Sequence, residues 1–138
     1  MNIDKLSLGF CKNQRLLKPK EYQKVYSSSQ RGGSKFFRYH VEGAPTLEEM
    51  SNTPRLGITV SKKVSKLAVQ RNRIKRIVRE GFRQNQHFLR GSKIVITAKP
   101  GINIEKNTDL RSDLDELMTK LLRWRKWHTR QLEKHSGD

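Results

Sequence analysis

The stretch that decides the fold is Arg55-Leu56-Gly57-Ile58-Thr59-Val60-Ser61, followed after a basic linker by Ala68-Val69-Gln70-Arg71-Asn72-Arg73-Ile74-Lys75-Arg76-Ile77-Val78-Arg79-Glu80-Gly81-Phe82-Arg83. In the first block Leu56, Ile58 and Val60 alternate with Gly57, Thr59 and Ser61, which predicts a strand over Arg55–Ser61 with one apolar face. In the second block the period changes to 3.6. Leu67, Ile74, Ile77, Val78, Gly81 and Phe82 fall on one side of a helix expected over Ser65–Gln86. The opposite side carries Asn72, Arg76, Arg79 and Arg83, with Arg71 and Lys75 on one shoulder and Arg73 on the other. An apolar underside and a basic ridge follow from a single turn of the wheel.

Outward from this core, Lys93–Ala98 is a second β-branched run, bracketed by Gly91-Ser92 and Pro100-Gly101, with Ile94 and Ile96 facing one way and Val95 and Thr97 the other. Upstream, Pro19 suits a first helical turn, and Tyr22, Val25 and Tyr26 predict a short amphipathic helix over Lys18–Ser27. Arg31-Gly32-Gly33-Ser34 reads as a turn, and Lys35–Val41 as a strand with Phe37, Tyr39 and Val41 on one face. Gly43–Pro54 reads as an exposed hairpin loop. A last helix is expected from Asn107 or Thr108 as N-cap, with Leu110, Leu114, Leu117, Leu121 and Leu122 along its stripe and Asp109 and Asp113 matching its dipole. Residues 1–14 and 128–138 read as flexible arms around a single domain over 15–127. The fold class expected is α+β, a sandwich of one small, mostly antiparallel sheet covered by helices.

Composition narrows the function. Thirty Lys and Arg stand against thirteen Asp and Glu in 138 residues, a net charge of +17. That is more cationic charge than solubility needs, and it points to a polyanionic partner. No apolar run is long enough to span a membrane, and Met1–Lys12 lacks a secretory pattern, so a cytoplasmic protein is expected. Cys11 is the only cysteine, which excludes an internal disulfide. Between Lys62 and Arg83 nine cations accompany one acid, Glu80. A merely solvated helix face is usually built from mixed signs, and like charges four apart cost a few tenths of a kcal/mol per pair. A single-signed ridge in which Arg outnumbers Lys suits phosphate groups gripped by planar guanidinium forks.

The run from Arg55 to Lys63, then Ala68-Val69-Gln70-Arg71-Asn72-Arg73-Ile74-Lys75-Arg76 and Arg79-Glu80, resembles the bacterial ribonuclease P protein subunit, with Arg71-Asn72-Arg73 as the family signature. Arg15–Tyr26 and Lys35–Tyr39 resemble it too, so the likeness covers roughly Phe10–Leu122. In place of the family's common Gly before the signature stands Val64-Ser65-Lys66-Leu67. The resemblance implies a compact α-β sandwich with a left-handed β-α-β crossover. It also implies a role as the small partner, one protein per RNA, of a catalytic RNA that cuts the 5′ leader from precursor transfer RNA with Mg²⁺ held mainly by the RNA. No protein side chain would be catalytic. Arg71, Asn72, Arg73, Lys75 and Arg76 would face the catalytic RNA and the substrate, although Arg71 and Arg73 lie nearer the helix flanks, where they could instead brace neighbouring loops. Lys62 and Lys63 would extend that surface, as would Arg79 and Arg83 on the ridge. Tyr22, Tyr26, Phe36 and Tyr39 match family aromatics that line a leader-binding cleft, with Tyr26 and Tyr39 the favoured stacking platforms.

A self-sufficient protein nuclease would need a general acid and base or a metal cage. His40, His87, His128 and His135 are scattered without ligand spacing, and neither a Walker loop nor a dinucleotide fingerprint occurs. A ribosomal or structural RNA-binding protein without a processing role fits the charge equally well, and only the signature in its context separates the two.

Overall fold

The computed structural model describes residues 14–16, 18–28, 30–100 and 107–136. Seven regular elements follow in order: α1 (Pro19–Tyr26), β1 (Arg31–Gly33), β2 (Phe37–Glu42), β3 (Arg55–Thr59), α2 (Ala68–Asn85), β4 (Lys93–Ala98) and α3 (Asn107–Ser136). The four strands form one sheet in the order β1-β2-β4-β3. β2 lies antiparallel to both β1 and β4, while β3 runs parallel to β4, so α2 is the crossover of a β-α-β unit. The result is an α+β fold on a small mixed sheet in which antiparallel pairing predominates.

The sheet divides the molecule into two unequal layers. One face carries Phe37, Tyr39, Val41, Leu56, Ile94, Ile96 and Ala98 into the main core, closed by Ile74, Ile77, Val78 and Phe82 of α2 and by Leu110, Leu114, Leu117 and Leu121 of α3. The other face buries Val95 with Leu16 and with Val25 of α1, and Tyr22 packs beside them. This is the alternation expected of β4, with Ile94 and Ile96 on one side and Val95 on the other. At Gly81 a methyl of Leu114 lies 2.5 Å from where a Cβ would stand, so the missing side chain lets α3 approach α2.

Four expectations change. Arg31–Gly33 is a strand rather than a turn: Gly32 pairs with Tyr39, and a Cβ on it would lie 2.6 Å from the Tyr39 hydroxyl. The glycine serves close approach there. The turn follows it, and Asp113 of α3 holds it, accepting hydrogen bonds from Ser34 Oγ (2.6 Å), Lys35 N (3.0 Å) and Phe36 N (2.8 Å). Lys120 Nζ and Lys99 Nζ donate to the carbonyls of Gly33 and Ser34, each at 2.6 Å. Asp113 is therefore a buried clamp and not only a helix-start charge, and β2 begins at Phe37 because Lys35 and Phe36 are taken by the turn.

Residues 43–54 do not form a hairpin loop, since β4 separates β2 from β3. The segment contains a 3-10 turn over Glu48–Ser51, and Ala44 and Met50 are buried. α2 starts three residues later than expected, at Ala68. Ser65 Oγ meets Gln70 Oε1 at 2.5 Å and accepts from Leu67 N at 3.2 Å, an arrangement that closes the entry to the helix and leaves Leu67 57% exposed instead of on the buried face. Finally, α3 continues through Ser136, past His128 where the sequence places an arm. Trp124 is buried, His128 stacks on it at 5.1 Å and meets the Ala44 carbonyl at 2.7 Å, and Arg125 Nε donates to the Arg90 carbonyl at 3.0 Å. Trp124 continues the apolar stripe into the main core, and from Arg125 onward polar groups do the docking, so the stripe does not announce it. The expected N-terminal arm and Cys11 lie outside the described residues apart from Gln14, which is buried and donates to Gln86 Oε1 at 2.6 Å. The side chains of Asn107 and Thr108, expected to cap α3, also lie outside them.

Candidate nucleic-acid interface

The underside of α2 is fixed by four buried apolar residues, so its opposite side is fixed as well. Asn72 and Arg76 are exposed, while Arg71, Arg73, Lys75, Arg79 and Arg83 are half-buried along the flanks. Lys62 and Lys63 are exposed in the turn leading to the helix. Two of the cations are engaged within the fold. Arg71 donates to the Ser65 carbonyl at 2.9 Å, which braces the loop that replaces the family's glycine. Arg83 pairs with Glu80 at 2.6 Å, and this hydrogen bond chiefly holds the Glu80 carboxyl below its usual range. The partner of Glu80 is thus Arg83, three residues on.

The remaining cations are crowded together. Arg73 and Arg76 share a groove of about 600 Å³ between α2 and α3 with Arg111, and Glu80 and Asp115 lie at its border. Lys75 and Arg79 lean the other way, over the β3 edge, into a smaller groove with Arg15 and the Tyr22 ring. Arg15 reaches that edge because it bridges to Leu56, and Leu16 N donates to the Leu56 carbonyl at 3.0 Å. Burial, then the guanidiniums of Arg15 and Arg76, lowers the pKa of Arg79. Since arginine stays charged at any ordinary pH, these crowded like charges raise the energy of the free surface, and an anion placed between them lowers it.

The aromatics divide between the two faces. Tyr22 lies over Gly57, where a Cβ would come within 2.6 Å of its ring, and burial raises its phenol pKa. Tyr26 is 39% exposed, its ring 6.5 Å from that of Tyr22 and edge-on to His40 at 5.0 Å, with its hydroxyl 3.3 Å from Thr59 Oγ1. Tyr22, Tyr26 and His40 therefore share the α1 side of the sheet. Tyr39 is 7% exposed and points to the opposite face, pinned against Gly32, and Phe36 packs on that same core with Lys35 Nζ 5.2 Å above its ring. The structure brings Tyr22 and Tyr26 together and does not bring Phe36 or Tyr39 to them. Strand alternation alone put Tyr39 with Phe37 and Val41, and that alternation prevails over its expected service as a platform.

Arg111, Arg15 and His40 join the site without having been singled out for it. Arg111 enters only because Gly81 admits α3 so closely. His40 shows no ligand spacing, and its place one residue from Tyr39, hence on the other face, was the available signal. Among the described residues no group of three or more His, Cys, Asp or Glu could hold a metal ion. No described helix is long and apolar enough to cross a membrane.

A small mixed sheet with one helix presenting a single-signed Arg and Lys ridge defines an RNA-binding class of α+β protein. The chain belongs to the ribonuclease P protein family, whose model, described as "Ribonuclease P", matches residues 10–122. It is 44% identical over 115 residues to the ribonuclease P protein component of Idiomarina loihiensis, covering 83% of this chain and 89% of that one. To the corresponding protein of Nitrosococcus oceani it is 42% identical over 104 residues, covering 74% and 82%. The RNase P protein structure from Staphylococcus aureus superposes with a TM-score of 0.67 at 25% identity, over 77% of this chain and 93% of that one. The one from Thermotoga maritima gives 0.64 at 25% identity, over 79% and 96%.

His40 offers a readout of the α1 side. Burial first, then Arg38 and Arg31, lowers its pKa from the ordinary 6.5. The folded chain therefore binds this proton less readily than the unfolded chain does. His40 contributes stability above the unfolded pKa, and the contribution is lost as pH falls through the folded one. The urea midpoint should decline between about pH 7.5 and pH 5, and His40→Gln should remove part of that decline. An identical decline in the variant would contradict this placement.

Proposed function

We propose that this chain acts as the protein component of ribonuclease P, one copy binding one catalytic RNA and helping it remove the 5′ leader of precursor transfer RNA in the cytoplasm. The observation that carries the proposal is the α2 ridge within its family context: a helix held by its apolar underside, with a cationic side that the fold does not neutralise. Lys62, Lys63, Arg73, Lys75, Arg76 and Arg79 have no ion-pair partner among the described residues, and in this reading they take phosphates of the catalytic RNA and of the substrate near the cleavage site. Asn72 adds an exposed donor and acceptor beside them. Arg71 supports the ridge by bracing the Ser65 loop.

The leader, a single strand, is assigned to the α1 side. Tyr26 offers an exposed ring, Tyr22 a partly buried one against Gly57, and Lys75, Arg79 and Arg15 supply charge at the adjoining β3 edge. Stacking needs no particular base, because every base has a π face, and cationic neighbours hold the intervening phosphates. The protein contributes binding and charge neutralisation, and Mg²⁺ is assigned to the RNA. By neutralising phosphates the protein lowers the Mg²⁺ concentration at which the RNA works.

Two experiments test this. The purified protein alone should leave precursor transfer RNA intact and should restore cleavage by the catalytic RNA at low Mg²⁺. Cleavage by the protein without RNA, or no effect on the RNA, would sink the proposal, and the second result would favour a structural RNA-binding role. With the holoenzyme, Tyr26→Ala should weaken binding of leader-bearing substrate more than of mature transfer RNA, by roughly fivefold or more for one lost stack. Tyr39→Ala should instead act mainly on stability, seen in the thermal midpoint. Reversal of the two phenotypes would return Tyr39 to the leader surface.

A further inference from the structure

Beyond Leu122, where the family match ends, α3 carries a second surface that none of the roles above uses. Lys120, Arg123, Trp127 and Arg130 recur at i, i+3, i+7 and i+10, along one helix face about 15 Å long. With Trp124 and the edge of Tyr39 they line an open groove of about 620 Å³ beside β1, within the roughly 300 to 1,000 Å³ typical of ligand sites. Trp127 is 44% exposed. No acid lines the groove, and neither Arg123 nor Arg130 forms an ion pair among the described residues. Lys120 is engaged with the Gly33 carbonyl and holds the β1 edge in place.

The backbone beneath this surface is rigidly supported. Trp124 stacks on His128 with an interplanar angle of 14°, and a Cβ on Gly43 would collide with His128 Nε2, so the imidazole fills the space above that glycine. This segment of α3 is thus pinned to the 43–50 loop, and Trp127 is presented from a fixed helix. A planar apolar ring flanked by two guanidiniums, with no acid lining the groove, complements a nucleobase with a phosphate on either side. An acidic peptide would satisfy the charge but leave the flat ring unused.

The helical layer decides which RNA. Tyr22 and Tyr26 lie on the other face of the sheet, whereas the α2 ridge and this groove share the helix-covered side. We propose that the Trp127 groove binds an unpaired nucleotide of the catalytic RNA, with Trp127 stacked on its base and Arg123 and Arg130 on the flanking phosphates. The inference rests on the function proposed above and adds a contact outside the matched family region.

Trp127→Ala and the double variant Arg123→Ala/Arg130→Ala in the full chain test it, with circular dichroism and thermal midpoint confirming that each folds. Trp127→Ala should weaken binding to the catalytic RNA by roughly fivefold or more, and Trp127→Phe should recover most of that. The double variant should weaken binding and lower the salt dependence by about two contacts. Parental affinity in both variants would overturn the inference, as would a loss confined to precursor transfer RNA or a loss traced to self-association of the free protein. If the parent stimulates the catalytic RNA while these variants bind as it does, only the Trp127 groove fails. If the parent itself does not bind that RNA, the functional reading fails first.

Discussion

The contact between the apolar underside of α2 and the sheet fixes the rest. Ile74, Ile77, Val78 and Phe82 are buried, and each such side chain contributes about 1.5 to 3 kcal/mol. Repulsion between like charges on a helix is a few tenths of a kcal/mol per pair. Packing therefore outweighs the mutual repulsion of the arginines and lysines, and the helix keeps an orientation that its surface charges alone would oppose. The rotation of α2 and the direction of its cations are one constraint.

The sheet then separates two kinds of surface. On the helix-covered side the cations of α2 and α3 stand over a thick core. On the other, the short α1 covers only Val95 and its neighbours, so Tyr22 and Tyr26 lie on thin, partly open ground. Asp113 and Lys120 tie the β1–β2 turn to α3, Lys99 ties it to the end of β4, and together they stop the sheet edge from drifting relative to the helices. Charge presentation and aromatic presentation are thereby held at fixed mutual geometry by polar clamps as much as by the core.

Much of this was legible in the chain. The period-2 run at Arg55–Ser61, the β-branched run at Lys93–Ala98 and the 3.6 period through Ile74–Phe82 each correspond to an observed element, because local period and burial agree there. What escaped was set by contacts distant in sequence. Gly32-Gly33 carries the composition of a turn, yet Gly32 exists to admit Tyr39. Asp113 is indistinguishable from a helix-start charge until the Ser34–Phe36 turn is placed against it. Past Trp124 the helical end of α3 docks through Arg125 and His128, whose polar groups leave no apolar stripe. The same limit applied to the site: the wheel placed Asn72 and Arg76 outward and Arg71 on a flank where it could brace a loop, as it braces Ser65, but could not show that Tyr39 would lie across the sheet from Tyr26.

The most direct test of the central claim is the salt dependence of binding between the intact protein and the catalytic RNA. Six cations without acidic partners should neutralise about six phosphates, which gives a slope of roughly −4 to −5 in log affinity against log salt and a loss of around three decades from 50 to 200 mM. A flat response would contradict the account, because it would mean that the outward face of α2 is not what holds the RNA.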